Sequence, residues 1–235
     1  MVRALDFAVA HFGRERYAGG HAFARHRHAD GYAAIVLAGG YLEAGDSGRR
    51  HVEAGDVLVH RPFETHFNSM SSRGADVLNL PLVAGAALPA AGRVADPDRL
   101  ARLAARDLAA ASEALIEAFA PAPPPLSDWP DLLATACRDA DELRIGDWAR
   151  RHGLAAGTAS RGFARAFGVT PARYRVEART RSAWRAIVDT SETLAAIAAQ
   201  AGFADQPHMT RCVVGLTGRA PGFWRQRRQI RSRPG

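Results

Sequence analysis

Leu194-Ala-Ala-Ile-Ala-Ala-Gln-Ala-Gly-Phe203, followed by Arg211, Val213 and Gly218-Arg-Ala-Pro221, is the stretch that decides the C-terminal architecture. About 49 residues upstream stands its counterpart, Ile145-Gly-Asp-Trp-Ala-Arg-Arg-His-Gly-Leu154, followed by Arg161, Phe163 and Gly168-Val-Thr-Pro171. In both, an alanine (Ala149, Ala198) sits four residues before a glycine, and an apolar residue follows that glycine directly. Alanine lets two helices approach closely. Glycine takes the left-handed conformation that ends the first helix, and Leu154 or Phe203 then plugs the corner. The pattern predicts two helix-turn-helix units, each with a second helix placed to enter the major groove.

The surroundings read as helix with short turns. Segments are expected at 131–140, 145–151, 156–166, 172–188, 193–201 and 206–215. A joining helix of about 17 residues spans roughly 25 Å at 1.5 Å per residue. With its flanking units, that spacing suits two recognition helices about 34 Å apart, one turn of DNA. Trp148, Phe163, Phe167, Phe203 and Met209 are assigned to the core.

Charge points the same way. All 31 basic residues are arginine. Residues 1–127 carry net −1, whereas residues 128–235 carry 18 arginines against 10 acids, net +8. A near-neutral front joined to a basic back suggests that the back meets a polyanion. A merely solvated basic face gives the same charge count, so the corner motifs carry the inference.

Residues 128–226 resemble the DNA-binding domain of the AraC family of bacterial transcription regulators. The most specific stretch is Ile197-Ala-Ala-Gln-Ala-Gly-Phe-Ala-Asp-Gln-Pro-His-Met-Thr-Arg211, continued by Thr217-Gly-Arg-Ala-Pro221 and Trp224-Arg225. The resemblance implies sequence-specific binding of double-stranded promoter DNA, usually as a homodimer, acting through RNA polymerase. It places Gly157, Thr158, Ser160 and Arg161 of the first unit, and Gln206, His208, Thr210 and Arg211 of the second, against DNA. Arginine pairs with guanine or clamps a phosphate. Gln206 either reads adenine or caps its helix, and His208 is either a base contact or a plain surface residue.

The chain departs from the family in both recognition helices. Gly157, Ala159 and Gly162 stand where larger residues are usual, and each interior glycine costs about 1 kcal/mol against alanine. Val213, Val214 and Gly215 replace an aromatic followed by basic residues, which removes phosphate contacts and flattens the salt dependence.

Upstream, Pro121-Ala-Pro-Pro-Pro-Leu-Ser-Asp-Trp-Pro130 cannot be a helix interior. The expected division is therefore a sensing and dimerisation domain at 1–120, a proline-rich linker at 121–130 and the DNA-binding domain at 131–235. Between residues 21 and 83, short apolar runs are punctuated by glycine, with Gly45-Asp-Ser-Gly48 as a turn. That texture favours an antiparallel barrel. From Pro97 to Phe119 it turns helical, with Asp96 as N-cap. The fold class expected is thus α+β in two domains, a β-barrel with flanking helices and then an all-α domain.

His26-Arg-His28 and Gly55-Asp-Val-Leu-Val-His-Arg-Pro62-Phe-Glu-Thr-His66 resemble the two halves of a cupin barrel motif. That resemblance implies a pocket lined by His26, His28, Tyr32, Glu64 and His66, open to a small-molecule effector. His26, His28 and His66 are candidate ligands for zinc, iron or nickel, with His60 nearby. A His-x-His pair on a strand also points both rings to one face by simple alternation. The glutamate expected shortly after His28 is missing, where Tyr32 and Ala33 stand. That gap weakens the rival reading, a cupin oxygenase or isomerase with an attached helical domain; no catalytic residue is assigned and no enzyme is expected. Only Cys137 and Cys212 are present, so neither a disulfide framework nor a zinc-thiolate site is expected. No apolar run approaches the roughly 18 residues of a membrane span. A cytoplasmic protein is expected.

Overall fold

A computed structural model describes residues 11–122, 124–139 and 143–231. The chain divides into two compact units, one mainly of the residues up to Asp131 and the other mainly of those from Leu132 onward.

The first unit is built on two long strands. Its strands are β1 (Gly13–Tyr17), β2 (Ala22–Arg27), β3 (Tyr32–Gly45), β4 (Gly48–Glu53), β5 (Asp56–His60), β6 (Thr65–Pro81), β7 (Ala91–Arg93) and β8 (Ala120–Pro121). All pairings are antiparallel: the main path runs β1-β6-β3-β5-β7-β8, β2 adds to β6 and β4 adds to β3. The Gly45–Gly48 turn joins β3 to β4 as expected. Gly39-Gly40 does not end a strand; β3 continues through it with shifts of register. A Cβ on Gly39 would lie 2.1 Å from the Gly74 carbonyl oxygen, so the two backbones meet where only glycine fits.

Alternation along β3 sorts the core into two faces. Ala33, Ile35 and Leu37 pack with Val57, Val59, Leu78 and Leu80 against helices α1 (Pro97–Ala104) and α2 (Leu108–Ala118) through Leu100, Ala111 and Leu115. Tyr32, Ala34 and Val36 face the other way, with Tyr41, Leu58, Met70 and Val77. The helical stretch after Pro97 comprises two helices. Asp96 caps the first as expected, and Asp107 starts the second by accepting the amides of Ala109 and Ala110. The proline-rich stretch lies along the sheet: Pro121 pairs with Gly92, and the Leu126 amide donates to the Arg49 carbonyl.

Beyond it come α3 (Trp129–Asp139), α4 (Ile145–Arg151), α5 (Ala156–Phe167), α6 (Pro171–Asp189), α7 (Leu194–Gln200), α8 (Gln206–Thr217) and α9 (Pro221–Arg231). Helix α9 was not foreseen, although Gly218 in the left-handed C-cap and Pro221 at the next N-terminus are its punctuation. Trp148, Phe163, Phe167, Phe203 and Met209 are buried, as assigned. Both cysteines are free, Cys137 in α3 and Cys212 in α8. Among the described residues, no helix is long and apolar enough to cross a membrane.

Candidate nucleic-acid interface and ligand pocket

The two corners are the same object built twice. Gly153 and Gly202 both take φ of 68°. After each, the amide of the plug residue returns to the close-approach alanine: Leu154 N–H donates to Ala149 O and Phe203 N–H to Ala198 O, both at 2.9 Å. In the second corner Arg179 of α6 locks the turn, donating to the Gly202 carbonyl at 2.7 Å while its guanidinium lies over the Phe203 ring. Asp205 caps α8 by accepting the His208 amide. Gln206, the first residue of α8, therefore does not cap it.

The recognition positions lie on the helices that follow each corner. Gly157, Thr158 and Arg161 are exposed on α5, with Ser160 half-buried; Gln206 and Arg211 are exposed on α8, with His208 and Thr210 half-buried. Neither Arg161 nor Arg211 forms an ion pair among the described residues. His208 packs edge-on against Phe203, with ring centroids 5.3 Å apart, so part of its role is to brace the corner. Gly157, which falls in the first turn rather than the interior, and the interior Gly162 do not break α5, which runs from Ala156 to Phe167. Gly157 leaves room for the Arg161 guanidinium, whose Nη1 would lie 3.0 Å from an added Cβ.

In the β unit, a cavity of about 380 Å³ opens on the inner face of the sheet. His26 and His66 are register partners across β2 and β6, and their ring centroids lie 4.3 Å apart. His28 follows two residues after His26 and stacks on His66 at 5.4 Å. The ligand nitrogens of these three histidines all lie within 4.8 Å of one another, close enough to hold a metal ion. His26 Nδ1 donates to the Ala24 carbonyl at 2.8 Å, which leaves Nε2 with its lone pair. Tyr32 hydroxyl stands 3.4 Å from His66 Nε2. Burial lowers the pKa of His26 and, more strongly, of His66, so both rings are neutral.

Tyr32 also stacks on His60, whose pKa burial pushes down to about 3. His60 Nε2 lies 3.5 Å from Glu43 Oε2. Glu64 is not among the lining residues; its carboxylate accepts the Arg61 amide in the turn before β6. Instead the wall includes Tyr17, Phe23, Asn68, Met70, Val77 and Asn79, which sequence reading missed. His66, Asn68 and Met70 are even-numbered, whereas Val77 and Asn79 are odd. The strand changes parity at the left-handed Gly74, so simple alternation loses the wall there.

Residues 148–227 match the family described as a helix-turn-helix domain. Three solved structures illustrate the likeness. An AraC-type transcriptional regulator from Chromobacterium violaceum is 24% identical, with 44% of this chain and 93% of that chain covered and a TM-score of 0.38. The DNA-binding domain of AdpA in complex with a target DNA is 20% identical, with 46% and 100% covered and a TM-score of 0.41. ToxT from Vibrio cholerae strain SCE256, bound to an unsaturated fatty acid, is 11% identical, with 90% and 93% covered and a TM-score of 0.39. No curated protein matches this chain. Residues 148–227, which carry the twin corners, thus belong to the helix-turn-helix domain family and follow an antiparallel β domain.

Proposed function

We propose that this chain regulates transcription by binding a specific promoter sequence, under the control of a small-molecule effector held in the β domain. Helices α5 and α8 enter successive major grooves, with Gly157, Thr158, Ser160, Arg161, Gln206, His208, Thr210 and Arg211 facing DNA. Helix α6, at 1.5 Å per residue, is roughly 28 Å long, a separation that suits one helical turn of duplex. The chain acts as a homodimer and addresses RNA polymerase. The effector lies against His26, His28, Tyr32 and His66.

One observation carries the reading: two corners of matched backbone geometry, each followed by a helix with an exposed arginine that no carboxylate engages among the described residues. Genome-wide mapping of the DNA bound by the full chain tests it. A recurrent sequence is expected, bound at least about a thousandfold more tightly than random duplex at the same salt concentration. Equal affinity for all duplexes would overturn the reading.

A further inference from the structure

We infer that His26, His28 and His66 form a transition-metal site with an open position facing the cavity, and that the effector docks by giving that metal a donor atom. The inference rests on the proposed regulator reading for its meaning, and on the β unit alone for its geometry.

Three features build the site. The first is convergence. His26 and His66 are direct cross-strand partners, and His28, just past the end of β2, brings its ring to 5.0 Å from that of His26. A metal 2.0–2.1 Å from each nitrogen holds any two of them no more than about 4.2 Å apart. A set already within 4.8 Å reaches that spacing by side-chain adjustment alone.

The second is the outer contact of the His26 ring. Because a carbonyl oxygen only accepts, the Ala24 contact fixes His26 as the Nδ1–H tautomer and aims its lone pair from Nε2. A ligating histidine is ordinarily held this way, through its other nitrogen.

The third is an orphaned atom. His66 is 2% exposed, and its Nδ1 has no hydrogen-bond partner among the described residues. A buried polar nitrogen without a partner is costly. A metal ion supplies what it lacks.

The donor set names the class of ion. Three imidazoles without thiolate or carboxylate suit zinc, nickel, cobalt or ferrous iron and disfavour magnesium and calcium. His60 is not a fourth ligand, since its Nε2 faces Glu43. Three protein ligands leave coordination positions for water or an incoming molecule. They open into a cavity whose only arginine among the described lining residues, Arg25, is held by Asp46 and Thr65. The charge that attracts an anionic head therefore comes from the metal. Phe23, Met70 and Val77 supply an apolar wall for the rest of the molecule. The effector expected is a small molecule with a carboxylate or phenolate donor and an apolar body.

The test loads the metal-stripped full chain with cobalt(II) and reads its visible absorption, with azide as the anionic probe. One equivalent is expected to bind, with bands that shift when azide is added. His66→Ala and His26→Gln are each expected to weaken binding by at least about 100-fold, more than the loss of an outer partner causes. His51→Ala, on the exposed face of β4, leaves it unchanged. His26 is only half-buried, so its variant remains informative if His66→Ala misfolds. Binding that is weak, non-stoichiometric or indifferent to His26→Gln overturns the metal site, and bands that ignore azide overturn the open position. Promoter binding by the same samples scores the regulator reading separately, since DNA binding with no metal sinks only this inference.

Discussion

Glu43 Oε2 and His60 Nε2 face each other at 3.5 Å, with both side chains buried beneath the cavity. Glu43 is held mainly in its neutral form. Burial, reinforced by Glu64 and Asp46 and opposed by Asn68 and Arg50, lifts its pKa from 4.5 to about 8. His60 is neutral too, with its pKa lowered to about 3. The contact is therefore a neutral carboxyl against a neutral imidazole over much of the accessible pH range, not an ion pair.

A pH dependence follows. Between about pH 4.5 and 8 the folded chain keeps a proton on Glu43 that the unfolded chain has released, so this group's contribution is complete below about 4.5 and declines as pH rises toward 8. Glu43→Gln keeps the shape and the acceptor for Asn68 while removing that titration. Denaturant unfolding of the β domain is expected to show equal stability at pH 4.5 and a growing advantage for the variant up to pH 8. His60 works in the opposite sense: its contribution is present above about 6.5 and is lost as pH falls toward 3. A variant less stable than the parent at pH 8 would refute the neutral-carboxyl assignment.

Arg161 and Arg211 are the strongest candidates for reading bases. Replacing either by alanine is expected to cost about 1–3 kcal/mol on the specific site and to relax preference at one base pair. Fluorescence anisotropy against the mapped site and its single-base variants measures both effects. If an arginine only clamps phosphate, the loss is uniform across sequences and the slope of log affinity against log salt falls by about 0.9.

The helical half was readable because its signals are local. Gly153, Gly202 and their plug residues are set by three or four neighbours, and Asp96 caps α1 for the same reason. The β half was readable only in outline. His26, His28 and His66 announced themselves by spacing, and they do converge. Glu43 did not, because its strand partners are Arg50 and Asn68 and it meets His60 only as a tertiary side-chain contact that no local pattern marks. Glu64 looked like a pocket residue by proximity to His66, yet its carboxylate closes a turn. The wall beyond Gly74 was hidden by a change of strand parity that no apolar pattern marks.

Asp205 fixes where α8 begins, through its contact with the His208 amide at 2.6 Å. Asp205→Ala is expected to cost about 1 kcal/mol, the usual loss of an N-cap. It also frees the first turn, which carries Gln206 and His208. Affinity for the specific duplex is expected to fall several-fold while affinity for random duplex holds or rises, because a negative charge near the phosphates is removed. Equal losses on both duplexes would show that Asp205 supports the fold without orienting the reading face.

Gly157 poses the sharpest choice between stability and recognition. As an exposed residue in the first turn of α5 it costs less, relative to alanine, than the roughly 1 kcal/mol of a helix-interior glycine. An alanine Cβ there would stand 3.0 Å from Arg161 Nη1, the far end of a flexible side chain, so the guanidinium moves aside at little cost. Gly157→Ala is therefore expected to raise the unfolding free energy of the C-terminal domain by up to about 0.5 kcal/mol, below the interior value. If Arg161 reads a base from its observed position, the same change weakens specific DNA binding, though by less than Arg161→Ala. A variant both more stable and unchanged in affinity would mean that the folded-back guanidinium is incidental and that Arg161 swings freely to its partner.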